Sequence, residues 1–118
     1  MDWGRRLQAA REKWVEVQGK RYKIRRPLDR EMRGLFKSGG DVGESLATDF
    51  VIDWAGVTEA DLAPGVGGEH EVPFTRAAYL EWTGDRLAVF AEIASAIWTE
   101  YQAHRERMGD IEGKSPST

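Results

Sequence analysis

An alternating run of apolar and polar residues near the N-terminus most constrains the fold of this chain. Over residues 14–26, WVEVQGKRYKIRR, an apolar side chain recurs at every second position on either side of the pair Gln18-Gly19. This periodicity is typical of strands with one buried face, and a short glycine-containing link between two such runs indicates a β-hairpin. Lys23 and Arg25 would share one face of the hairpin. The opposite face would carry Val15, Val17, Tyr22 and Ile24.

Helical patterns follow the hairpin. Asp29 is placed to cap a helix that the pair Gly39-Gly40 would end. A second helix is expected to begin near Ser45 and to end at Gly56, because large apolar side chains then fall four residues apart on one stripe. That stripe would consist of Leu46, Phe50 and Trp54.

Two further helices are expected in the C-terminal half. Thr75 can cap one that runs through Trp82, and the pair Gly84-Asp85 would separate it from the longest helix, over about residues 86–108. The apolar face of the longest helix would be Leu87, Phe90, Ala94, Ile97, Trp98 and Tyr101. The expected fold class is therefore α+β and mostly helical, with an N-terminal β-hairpin followed by about four helices around one core.

Length and composition favour one intracellular domain. The chain has 118 residues and no cysteine, which suits a single core in a reducing compartment. Its N-terminus has no apolar stretch of the length that a signal peptide or a membrane span needs. We expect a single globular domain over residues 1–108 and a flexible tail over residues 109–118.

The two parts of the chain carry opposite charge. Residues 1–37 contain 12 Lys and Arg against 5 Asp and Glu, whereas residues 38–118 contain 5 against 15, so a net charge of +7 is followed by one of −10. Such a split favours a complementary partner, including a second copy of the chain. The basic hairpin with its interleaved aromatic residues also suits a small nucleic-acid-binding module, which is the alternative function. Against that alternative, the whole chain has a net charge of −3.

The sequence contains five tryptophans. Trp54, Trp82 and Trp98 fall at positions typical of a helical core. Trp3, on a short helix predicted over about residues 3–13, and Trp14 accompany basic residues and are better candidates for an exposed contact with a partner. The candidate partner-binding residues are Trp3, Trp14, Lys20, Arg21, Lys23, Arg25 and Arg26.

No pattern in the sequence favours catalysis, a metal or a cofactor. Glu100 and His104, four apart on a helix, offer two metal ligands where a zinc site needs three or four. Asp49 and Asp53 are also four apart on a predicted helix, but acid–base catalysis needs a pocket that shifts their pKa values, and a polar helix face is the simpler interpretation. The GKS at residues 113–115 lacks the strand and helix that flank a phosphate-binding loop. We expect a protein that is not an enzyme.

A series of short motifs resembles one protein family in order and spacing. An Arg-Pro pair ends the hairpin, an Asp-Trp-x-Gly-Val run precedes an acidic turn, and a Pro-Phe pair starts a helix. In this chain the Arg-Pro pair is Arg26-Pro27, the Asp-Trp-x-Gly-Val run is residues 53–57 and the acidic turn is residues 59–61. The Pro-Phe pair is Pro73-Phe74, and residues 101–105 match part of the long terminal helix. Together they resemble the tail assembly chaperones of long-tailed bacteriophages and prophages, over roughly residues 14–115. The pair Thr83-Gly84 and the glycine-rich residues 65–68 depart from the family pattern.

The resemblance implies a protein that binds and does not catalyse. Members of this family hold the tape measure protein and help it assemble with the major tail (tube) protein. They act in the cytoplasm of the bacterial host and are absent from the mature virion. A groove for a partner helix is then the expected mode of contact, a homo-oligomer is a further expectation, and no membrane is expected. Many members are made in two lengths by a ribosomal frameshift, for which the codons of Gly113 and Lys114 are the candidate position.

Overall fold

The structure, a computed structural model, describes residues 2–113 of the chain. It confirms the expected fold class, α+β and mostly helical. Within the described part, no helix combines the length and the apolar character that crossing a membrane requires. The elements are α1 Trp3–Ala10, β1 Glu12–Val17, β2 Lys20–Arg25, α2 Asp29–Ser38, α3 Val42–Asp49, β3 Val51–Ala55, α4 Glu59–Leu62, α5 Arg76–Gly84 and α6 Leu87–Gly113.

The sheet is antiparallel, with the strand order β1-β2-β3. β1 and β2 form the predicted hairpin, in which Trp14 lies opposite Lys23. Gln18 and Gly19 make the turn with positive φ values of 49° and 84°. Positive φ at both central residues is the conformation of a two-residue turn whose twist matches that of the flanking strands. The pair at the turn thus sets the register of the hairpin.

A strand lies where the sequence predicts the second half of a helix. The helix expected from near Ser45 to Gly56 ends at Asp49 as α3, and β3 follows it. Trp54 therefore lies on a strand, next to β2. This part of the prediction is wrong, and Asp49 and Asp53 are consequently not four apart on a helix.

Two physical causes account for the strand. Val51 and Ile52 are β-branched, and such side chains lose rotamer freedom in a helix but fit a pleated sheet. The strand also gives β2 a hydrogen-bonded neighbour on its second side, so that β2 becomes the central strand of the sheet. Leu46, Phe50 and Trp54 are all buried. The apolar pattern therefore predicts correctly that these residues are buried, but wrongly that all three lie on one helix.

The core joins the inner face of the sheet to α3, α5 and α6 in one cluster. From the sheet, Tyr22, Ile24 and Val51 are at most 1% exposed. Burial of each large aliphatic or aromatic side chain stabilises the fold by about 1.5–3 kcal/mol, so this cluster is the main source of stability. The inward side chains of α6 are spaced four apart: Val89, Ile93, Ile97 and Tyr101.

The buried face of α6 is rotated relative to the prediction. Leu87 is 72% exposed and Trp98 is 37% exposed, so their assignment to the core is wrong. Val89 and Ile93 take the inward positions instead. Two neighbouring stripes of this helix are apolar, and packing against the sheet selects the one with β-branched side chains. Of the three tryptophans expected in the core, Trp54 and Trp82 are buried.

α5 and α2 begin close to the residues that the capping patterns in the sequence predict. The Thr75 hydroxyl accepts the backbone N–H of Ala78 at 3.1 Å at the start of α5. Phe74 packs against Tyr79 with ring centroids 5.7 Å apart, the contact of a hydrophobic staple. α2 begins at Asp29 itself with Leu28 at the N-cap, so the cap lies one residue earlier than predicted.

The last helix is longer than predicted. α6 runs to Gly113, so residues 109–113 are helical where the sequence predicts a flexible tail from Gly109. No proline interrupts the helix at residue 108, and an isolated glycine such as Gly109 only weakens a helix without ending it. Lys114 and the rest of the predicted tail lie outside the described residues.

Replacing Ile93 by alanine should lower the free energy of unfolding by about 2–5 kcal/mol, because the substitution leaves a cavity in the core. The matched substitution Leu87→Ala on the same helix should change it by less than about 0.5 kcal/mol, since that side chain lies mostly in solvent. Urea unfolding followed by tryptophan fluorescence measures both. A larger loss for Leu87→Ala than for Ile93→Ala would contradict the orientation of α6.

Candidate partner-binding surfaces

The outer face of the sheet carries the basic residues of the hairpin. Arg21, Lys23 and Arg25 alternate with buried residues along β2, as predicted. Trp14 of β1 lies beside them, with the Arg21 guanidinium 5.4 Å and the Lys23 ammonium 6.0 Å from the ring centroid. The structure thus brings together four of the predicted partner-binding residues: Trp14, Arg21, Lys23 and Arg25.

Acidic side chains neutralise two of these cations. Arg25 donates two hydrogen bonds to the carboxylate of Glu31, each 3.0 Å long. Burial alone would raise the pKa of Glu31, but the hydrogen bonds from Arg25 and from the Leu28 backbone N–H lower it overall. Lys23 lies 3.3 Å from Glu12, its neighbour on β1. Both cations are therefore already engaged within the protein.

Lys20 is held at the turn end of the hairpin, away from the outer face of the sheet. Its ammonium donates to the carboxylate of Asp61 and to the carbonyl of Gly56, both at 2.7 Å. The same carboxylate accepts the backbone N–H of Thr58 at 2.8 Å. The hydrogen bond from Lys20, followed by those from Thr58, lowers the pKa of Asp61 to about 2. Lys20 is therefore a structural cation that fastens α4 to the sheet.

The two remaining predicted residues lie apart from this face. Arg26 follows β2, where it is half-buried and donates from Nη1 to the carbonyl of Pro27 at 2.9 Å. Trp3 lies on α1, which ends at Ala10 and not at residue 13 as predicted. Its ring is largely exposed, with the Arg6 guanidinium 4.8 Å from the centroid. The expected exposure of Trp3 and Trp14 is confirmed, whereas their contact with a partner stays a prediction.

An apolar groove, which is not among the predicted binding surfaces, lies between α2, α3 and α6. It encloses about 330 Å³. Phe36 is 59% exposed and Trp98 is 37% exposed beside the groove, and their rings meet edge to face with centroids 6.5 Å apart. The rest of the lining is apolar or small and includes Val42, Gly43, Leu46, Ala94 and Ser95.

The groove has the chemistry of a protein-binding surface. Large aromatic side chains that are exposed together beside an apolar depression are typical of positions where a partner binds. Glycine, alanine and serine in the lining leave room for side chains of another molecule. The sequence held one signal for this site, because α6 carries two adjacent apolar stripes and only one can face the core. Trp98 lies on the stripe that the core does not use.

The two residues considered as metal ligands, Glu100 and His104, have structural partners. In residues 2–113, no three His, Cys, Asp or Glu side chains are placed to hold one metal ion. Glu100 accepts a 2.6 Å hydrogen bond from Lys13 and so ties α6 to β1. His104 lies 3.5 Å from Asp29 and faces α2. These side chains connect elements of the fold.

The motifs that carry the family resemblance build the scaffold. Trp54 and Phe74 meet edge to face with centroids 5.6 Å apart, and the Tyr101 hydroxyl lies 3.0 Å from a carboxylate oxygen of Asp29. These residues pack the core or join elements, and they do not line the groove. A scan against models of known protein families finds no match, and neither does a search of curated proteins or of solved structures. The resemblance therefore rests on the motifs themselves.

Asp61→Asn should destabilise the protein at pH 7 and remove part of its sensitivity to acid. The pKa of Asp61 is lowered from 3.8 to about 2 by its hydrogen bonds. Its contribution to stability is therefore present above about pH 4 and is lost as the pH falls through about 2. Urea unfolding of the wild type and of Asp61→Asn between these pH values measures the difference.

Asp110→Asn, an exposed substitution on α6, is the control and should follow the wild type at every pH. If Asp61→Asn also followed the wild type throughout, the ion pair with Lys20 would not have the role assigned to it.

Proposed function

We propose that this protein is a non-catalytic tail assembly chaperone of a bacteriophage or prophage, and that it holds the tape measure protein in the groove between α2, α3 and α6. The observation that carries this binding mode is the exposed aromatic pair, Phe36 and Trp98, beside the groove. The order and spacing of the scaffold motifs support the choice of family.

The groove suits a helical partner. A partner helix with apolar residues at positions i, i+3, i+4 and i+7 presents one stripe, and a groove between helices accepts such a stripe. Covering Phe36 and Trp98 would remove apolar surface from water, at about 25 cal/mol for each Å². The groove encloses only about 330 Å³, so each contact with a long tape measure chain is limited in area. A contact of small area dissociates readily, as a chaperone must when tube subunits replace it.

Handover is the second part of the proposed function. The protein would act in the cytoplasm of the bacterial host, contact the major tail (tube) protein as the tube replaces it, and be absent from the mature virion. A longer form made by a frameshift at the codons of Gly113 and Lys114 remains part of this proposal.

Nucleic-acid binding by the hairpin is the weaker candidate, because two of the three cations on its outer face, Lys23 and Arg25, have carboxylate partners. A phosphate group would have to displace Glu31 from Arg25 and Glu12 from Lys23. Breaking each internal pair offsets much of the gain from the new contact. The aromatic stacking that single strands require would come from Trp14. The outer face of the sheet is thus a poor phosphate-binding surface.

Co-expression should keep the tape measure protein soluble, because the groove covers its apolar stripe. The double variant Phe36→Ser with Trp98→Ser should lose this effect and should no longer co-purify with the tape measure protein. The matched control is Leu80→Ser with Leu87→Ser, which removes two exposed apolar side chains outside the groove. The measurement is the soluble fraction of the tape measure protein after lysis and centrifugation.

Three outcomes would contradict the proposal. The wild type would leave the tape measure protein insoluble, the groove variant would act like the wild type, or the control would fail as completely as the groove variant. Thermal unfolding of each variant shows that the fold is retained. A labelled oligonucleotide that the wild type shifts, and that Arg25→Ala does not, would favour the nucleic-acid function instead.

A further inference from the structure

The N-terminal helix α1 is an amphipathic arm whose apolar side is uncovered. Trp3 and Leu7 lie one turn apart and each is 61% exposed. No residue of α1 is buried. A helix of eight residues is marginal in water by itself, so covering its apolar stripe would stabilise it. Arg5 and Arg6 make the same helix basic.

An acidic cleft of about 550 Å³ lies between α4 and α5. Glu81 on α5 and Asp85, which follows the last residue of α5, are exposed. Neither forms an ion pair among residues 2–113. Arg86 also lines the cleft, where its guanidinium stacks 3.6 Å from the centroid of Trp82. The apolar part of the lining comes from Leu62, Pro64, Ala78 and Trp82.

The arm does not reach the cleft of its own copy. Arg11 alone separates α1 from β1 at the open end of the hairpin, where the Arg26 backbone N–H donates to the Arg11 carbonyl at 2.8 Å. The cleft lies near the turn end, where Lys20 binds Asp61 just before Leu62. A strand of six residues spans about 20 Å, whereas a helix of eight residues spans about 12 Å. The arm is therefore available only to another molecule.

We propose that the arm of one copy docks in the acidic cleft of a second copy of this chain. The two segments have complementary charge. Residues 2–11 contain three arginines and one aspartate, a net charge of +2. The charged side chains that line the cleft are Glu81, Asp85 and Arg86, a net charge of −1. Complementary charge of this kind steers two surfaces together and fixes their orientation.

In the docked state both the apolar and the basic side chains of the arm have partners in the cleft. Trp3 and Leu7 enter the apolar lining of the cleft, and the arginines of the arm approach Glu81 and Asp85. Because arm and cleft lie at opposite ends of the hairpin, the contact joins copies either head to tail or as a reciprocal pair. The charges are exposed, so salt weakens the association: screening acts within about 10 Å at 0.1 M and about 3 Å at 1 M ionic strength.

Sedimentation velocity of the full chain over a range of concentrations tests this contact. The wild type should associate in low salt and become monomeric in about 1 M NaCl, where charges are screened. Two charge-reversed variants should each be monomeric in low salt. The first reverses the arm, Arg5→Glu with Arg6→Glu, and the second reverses the cleft, Glu81→Lys with Asp85→Lys. An equimolar mixture of the two variants should associate again, because the unchanged arm of one then meets the unchanged cleft of the other.

Two control variants separate this contact from other surfaces. Glu106→Lys with Asp110→Lys reverses two exposed acids four apart on α6 and should associate as the wild type does. Phe36→Ser with Trp98→Ser should also associate normally, so failure of the proposed chaperone function leaves this result unchanged.

A wild type that stays monomeric at every concentration in low salt would overturn the proposal. So would a mixture of the charge-reversed variants that stays monomeric. Loss of association in the groove variant would place the arm in the groove and would equally overturn the assignment to the cleft. Far-ultraviolet circular dichroism of each variant confirms that these surface substitutions leave the fold intact.

Discussion

The alternation of side chains along β2 is the constraint on which the rest of the structure depends. Tyr22 and Ile24 point into the core, and three basic residues point out. A slip of one residue in register would bury the cations and expose the apolar pair, so the hairpin has one acceptable pairing. The Trp82 indole N–H donates to the buried hydroxyl of Tyr22 at 2.8 Å and ties α5 to this strand. β3 then pairs with the other side of β2 and completes the three-stranded sheet.

The position of α6 follows from that inner face and leads to the groove. Once Val89, Ile93 and Ile97 pack inward, the second apolar stripe of the helix must turn away from the core. α2 and α3 approach that stripe, joined through Gly39, whose φ of 73° ends α2 in a left-handed conformation. Small side chains between the helices leave space beside Trp98. The surface proposed to bind a partner is thus a consequence of how the core is built.

Local signals account for the elements that the sequence predicts, and contacts between distant residues account for those it does not. The hairpin follows from its two-residue period and its turn, and α5 follows from Thr75 and Phe74. β3 was missed because its strand character depends on a partner strand elsewhere in the sequence. Packing against the sheet also decides which stripe of α6 is buried, and no local pattern specifies it.

The candidate surfaces were only partly predictable for the same reason. The basic hairpin is evident in the sequence, but Lys20 and Asp61 are 41 positions apart and Lys13 and Glu100 are 87 apart. Which carboxylates neutralise the cations is therefore unknown until the chain is folded. Trp98 would have been recognised as exposed only after the core was known to use the other stripe of its helix.

The groove beside Phe36 and Trp98 is the surface that we propose holds a helix of the tape measure protein. The three exposed tryptophans lie on three different surfaces, because Trp98 borders the groove, Trp14 lies on the outer face of the sheet and Trp3 lies on the arm. The most direct measurement follows their indole N–H signals in a ¹H–¹⁵N spectrum as a helical segment of the tape measure protein is added. Binding in the groove should shift the Trp98 signal and leave the Trp14 and Trp3 signals in place. A shift of Trp14 or Trp3 with Trp98 unchanged would contradict this proposal.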